Sequence, residues 1–141
     1  MPFDPILVAE TRAWVKKAKA DLRAARHDLS AIPPLFADAV FHCQQAVEKM
    51  LKGFLLWRGV PFRKTPSLEE LGEQCLELDE TLREIIDRAV PLTEYAWKFR
   101  YPGDPEEPSP EEAEEAIRTA ASVAQAITSR LPQDVHQFQQ E

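Results

Sequence analysis

Apolar residues recur at three- and four-residue steps in five stretches of this chain, and no stretch alternates with the period of two that a half-buried strand requires. In the first stretch Trp14, Ala18, Leu22, Ala25 and Leu29 share one helical face, with Asp4 as N-cap and Pro5 at the first helical position. Lys16, Lys17, Lys19 and Arg23 fall on the solvated side, and Pro33-Pro34 stops the helix. The second helix is predicted from about Leu35 to Trp57. Its stripe is Phe36, Val40, Cys43, Val47, Met50 and Phe54, and Gly59-Val60-Pro61 ends it.

Thr65-Pro66-Ser67 signals a third start, and Ser67 with Glu70 matches a capping box ahead of Leu68, Leu71, Cys75, Leu76 and Leu78. Asp79 or Thr81 opens a fourth helix, with Leu82, Ile85, Ile86, Ala89, Leu92 and Tyr95 facing inward. Pro91 falls inside that pattern and should kink or divide it. RYPGDPEEPSP has no apolar period and reads as a loop. Ser109-Pro110-Glu111-Glu112 then combines N-cap, first-position proline and capping-box Glu. Ala113, Ile117, Ala120, Ala124, Ile127 and Leu131 give the fifth helix its face, Pro132 ends it, and DVHQFQQE is expected to fray. These elements predict an all-α, up-and-down antiparallel bundle of four to five helices. It forms one domain over residues 1–141, with its core at about 10–131 and a polar tail at 132–141.

Charge narrows the partners. The formal net charge is −7, which argues against broad nonspecific binding to nucleic acid or to an anionic membrane. There is no basic leader and no 18-residue apolar run, so no membrane is expected and a cytoplasmic location is. Cys43 and Cys75 sit at apolar helical positions without CxxC spacing, which fits buried thiols in a reducing compartment. The histidines are far apart and glycines do not cluster, so no metal and no cofactor are expected.

The second helix carries the most informative polar residues. On a helical wheel its apolar stripe spans roughly 60° to 180°, while His42, Gln45, Glu48, Lys49 and Lys52 span roughly 240° to 360°. Helix statistics favour a solvated strip with a Glu48–Lys52 pair. Yet Lys49, Lys52, Arg58, Arg63 and Lys64 succeed one another with no intervening acid, whereas Asp104, Glu106, Glu107, Glu111, Glu112, Glu114 and Glu115 crowd a later segment. An acidic chain that keeps one helix end basic can hold a phosphate or an acidic partner there.

AKADLRAARHDL, FHCQQAVEKMLKGFL, RGVPFRKTPSLEEL and LTEYAWKFRYPG, in this order and across about residues 10 to 131, resemble the HEPN family (higher eukaryotes and prokaryotes nucleotide-binding). The resemblance implies a helical bundle that forms homodimers and works beside a minimal nucleotidyltransferase, often as a toxin–antitoxin pair. Many such toxins are metal-independent endoribonucleases with an Arg followed four to six residues later by a His. Here Arg100 stands in the expected region, but YPGDPEEP follows without a histidine. Such chemistry needs an imidazole to move the proton and an arginine to stabilise phosphate charge. Arg130 and His136 have the spacing but lie in the tail around Pro132. Pro66 stands where relatives often carry a histidine.

The expectation is therefore a noncatalytic module that binds a nucleotide, RNA or a nucleotidyltransferase partner. The candidate residues are His42, Gln45, Lys49 and Lys52 along the helix, Arg100 and Tyr101 opposite them, and Lys64 at the rim. Trp97 and Phe99 would add an aromatic patch beside Arg100. The alternatives are an endoribonuclease toxin pairing Arg100 with His42, and a purely structural dimeric adaptor.

Overall fold

Asp4 opens the first helix as the spacing predicts: its side chain accepts the Ile6 N–H at 2.9 Å, with Pro5 in the first turn. The computed structural model describes residues 3–103 and 107–136. Asp104 and Glu106 of the acidic run, and the tail from residue 137, lie outside the described residues. The helices are α1 (Pro5–Ser30), α2 (Phe36–Trp57), α3 (Leu68–Leu78), α4 (Arg83–Ala89), α5 (Pro110–Thr128) and α6 (Gln133–His136). Two 3-10 segments, Glu80–Leu82 and Val90–Ala96, flank α4. The described chain is an all-α antiparallel bundle.

α2 is the axis of the bundle, touching α1, α3, α5 and the Val90–Ala96 segment. Val40, Cys43, Val47, Leu51, Phe54 and Leu55 are wholly sequestered from solvent. α1 answers with Thr11, Val15, Ala18, Leu22 and Ala25, so its inner face is turned slightly from the predicted one; Trp14 and Leu29 are half-buried. The α1–α2 contact is close enough that a Cβ at Gly53 would stand 3.1 Å from that of Trp14.

Proline and caps cut the remaining chain where the sequence places them. Ser67 Oγ accepts the Glu70 N–H at 3.3 Å, and Thr93 Oγ1 accepts the Leu68 N–H at 3.1 Å. Pro91 cannot supply the N–H that a continued α-helix requires, and after Ala89 the backbone tightens into 3-10 turns. The capping box of α5 is complete: Ser109 Oγ takes the Glu112 N–H at 3.0 Å and Glu112 Oε1 takes the Ser109 N–H at 3.5 Å.

The chain past Pro132 departs from expectation. Rather than fraying there, it forms α6, whose Val135 is fully buried, and Lys19 Nζ donates to the His136 carbonyl at 2.7 Å. The buried Val135 side chain docks this turn against α1. No helix among the described residues is long and apolar enough to cross a membrane.

Candidate functional site

The polar row of α2 is less exposed than its wheel suggests. Lys52 keeps only 8% of its surface. Its ammonium lies 5.7 Å from the Trp14 ring centre and 5.5 Å from that of Phe62, and it donates to Glu48 Oε2 at 3.0 Å. α1 and the loop after α2 therefore close over this side of the helix. Gln44 is fully buried, with Nε2 donating to Glu48 Oε1 and the Pro66 carbonyl, both at 3.1 Å. Its Oε1 accepts from Gln45 Nε2 at 2.7 Å. The expected surface strip is thus a half-buried polar seam. A helical wheel ranks residues around their own axis and is blind to how many neighbours cover it. Gln44 was missed because it sits at the margin between stripe and strip.

One turn toward the start of α2, His42 is clasped by carboxylates. Its Nδ1 is 2.9 Å from Asp21 Oδ1 and its Nε2 is 3.3 Å from Asp38 Oδ2. Lys49 Nζ takes the other oxygen of Asp21 at 2.5 Å. Asp28 adjoins the same group. Burial, and then hydrogen bonding with and charge on Asp38, push its carboxyl up to about 6. Asp21 and Asp28 escaped the sequence reading, although their seven-residue spacing on α1 puts them on one face beside the apolar stripe.

Arg100 stands apart from these pairs. The chain enters it through Phe99, held at φ 68°, a left-handed conformation uncommon for a non-glycine residue. The Phe99 ring stacks on Tyr95, with centroids 6.2 Å apart, and so anchors this turn. The Arg100 guanidinium lies 3.7 Å from the centre of the Phe41 ring, while His42 meets the same ring edge-on at 5.6 Å. Arg100 and His42 thus flank one aromatic side chain.

Among the described residues Arg100 and Lys64 are exposed and form no ion pair, whereas Lys49, Lys52 and Arg63 each hold a carboxylate. Tyr101 and Trp97 are exposed beside Arg100, at 69% and 54%. A guanidinium stacked on a ring keeps its edge donors free for a phosphate.

Other candidates find structural employment. Arg130 donates to Asp79 Oδ2 at 2.8 Å, to Thr81 Oγ1 at 2.9 Å and to the Ala126 carbonyl at 2.7 Å, tying the end of α5 to the turn before α4. Burial pushes the Cys43 and Cys75 thiols up to about 12, far from nucleophilic thiolates.

The family model described as HEPN domain matches residues 11–131. A protein of Methanocaldococcus jannaschii named "Putative toxin MJ1304" is 29% identical over 135 residues, covering 85% of this chain and 87% of that protein. No solved structure gives a significant match.

Proposed function

The chain belongs to the HEPN domain family, and from that premise we propose that it is a toxin-like, noncatalytic module that grips a phosphate of a nucleotide or RNA at Arg100. The observation that carries this reading is the guanidinium laid on Phe41 at 3.7 Å, with no carboxylate among the described residues neutralising it. His42 and Tyr101 border the contact and Lys64 supplies further positive charge. Gln45, Lys49 and Lys52 act from beneath: Lys49 holds the Asp21 that holds His42, while Lys52 and Gln45 fix the Gln44–Glu48 seam. The whole chain acts as one domain, pairs with a second copy and works in the cytoplasm beside a minimal nucleotidyltransferase. Arg100→Ala is expected to weaken binding of a single-stranded RNA oligonucleotide or ATP at least tenfold with an unchanged circular dichroism spectrum. Unaltered affinity for both would reject the assignment.

A second reading has its own support. Asp21 on Nδ1 orients the His42 imidazole, and Arg100 shares its aromatic neighbour. His42 would then replace the histidine missing after Arg100 and move the proton of an RNA 2′-hydroxyl, while Arg100 stabilises the phosphorane charge. RNA incubated in chelator separates the two. Intact RNA favours the binding module; cleavage lost in both Arg100→Ala and His42→Ala establishes a metal-independent endoribonuclease.

A further inference from the structure

We propose that Asp28, Asp38 and His42 form a site for a divalent transition-metal ion of the Zn2+ class. One donor atom from each residue lies within 4.8 Å of the other two. Asp38 and His42 stand four residues apart, on one face at the start of α2, and the 3.3 Å between Asp38 Oδ2 and His42 Nε2 suits two ligands of one ion. Asp28 comes from the last turn of α1. Its carbonyl accepts the N–H groups of Ala31 at 3.3 Å and Leu35 at 2.9 Å, which fixes the reversal that brings this turn against α2. All three donors therefore ride on hydrogen-bonded backbone.

Two further observations point to an ion there. Asp28 Oδ2 is sealed from solvent and meets no hydrogen-bond donor; its neighbour is a second carboxyl, that of Asp38. Two carboxyls in contact require a shared proton or a cation. Independently, Asp21 accepts from His42 Nδ1 at 2.9 Å and is itself held by Lys49 at 2.5 Å. That contact holds the ring with Nε2 turned toward the acid pair, and in the neutral imidazole it puts the proton on Nδ1 and leaves Nε2 to bind an ion, the arrangement that surrounds metal-bound imidazoles. One imidazole with two carboxylates is a donor set for Zn2+ or Mn2+, and it leaves a coordination position for water or a ligand oxygen. An ion on Nε2 would also take that nitrogen away from any proton transfer beside Arg100.

The test uses the full chain, stripped with chelator and titrated with Zn2+ against an indicator dye. The expected result is one equivalent bound. Asp28→Asn and Asp38→Asn should each weaken uptake at least tenfold, Asp21→Asn by about tenfold through loss of the imidazole's support, and His136→Gln not at all. X-ray absorption on the wild-type complex, which needs no variant to fold, should show one imidazole among oxygen ligands. Absent uptake, uptake undiminished in both Asp28→Asn and Asp38→Asn, or a shell without imidazole overturns the site and leaves a shared proton to join the carboxyls. None of these outcomes depends on whether Arg100 binds phosphate.

Discussion

Lys52 shows how far one residue's role depends on what covers it. In sequence it is a cation on a polar helical face; in the fold its ammonium sits between Trp14 and Phe62 and neutralises Glu48. Removing it strands a mostly buried carboxylate. Lys52→Ala should cost about 2–3 kcal/mol of stability in urea denaturation, whereas Arg100→Ala should leave the denaturation midpoint within about 0.5 kcal/mol of wild type because its side chain is exposed. Equal effects of the two substitutions would contradict the separation drawn between seam and contact residue. Arg100 was legible as the residue to watch because its segment fits a family pattern. Its seat on Phe41 was not, since nothing in the sequence links positions 59 residues apart.

At the scale of elements, caps and prolines proved the most readable signals. Asp4, Ser67 and Ser109 all serve as N-caps, because such hydrogen bonds close within three residues and need no tertiary information. The reciprocal half of the box forms at Ser109, whereas Glu70 turns its carboxylate to Arg63 instead. The packing angles were less readable. Gly72 on α3 lies against Ile86 of α4, and a Cβ there would stand 2.6 Å from the Ile86 Cγ2 methyl. Gly72→Ala should therefore destabilise by about 1 kcal/mol net, the overlap with a buried branched side chain exceeding the gain in helix propensity. Thermal melts of that variant would check it.

The Asp79–Arg130 tie makes a pH prediction. Hydrogen bonds from Thr81 and then Arg130 hold the Asp79 carboxyl below its ordinary range. A carboxyl depressed in the folded state stabilises above its unfolded value of 3.8, and the contribution is lost as pH falls below that value. Asp79→Ala should thus lower stability by about 1–2 kcal/mol at pH 7, and the difference from wild type should shrink as pH falls through the carboxyl's lowered folded-state value, as read from denaturant midpoints. The docking of α6 escaped the sequence reading for a different reason. The helix is four residues long with Val135 as its buried residue, and so short an element shows no period.

For the whole molecule, the bundle class was legible because five periodic stretches separated by prolines leave little else to build. What remained hidden is the burial of α2, which follows from its central place and turns a presumed surface into a seam. Trp97 and Tyr101 are exposed close to Arg100 in the chain, and the proposed homodimer would give a particle of about twice the 16.1 kDa chain mass in sedimentation. The central claim is that Arg100 contacts a phosphate. It is tested most directly by fluorescence anisotropy of a labelled single-stranded RNA, titrated with wild type and Arg100→Ala across a salt series in chelator. The account predicts intact RNA, at least tenfold weaker binding by the variant, and a shallower salt slope by about one released counterion. Affinity and slope identical to wild type would contradict it.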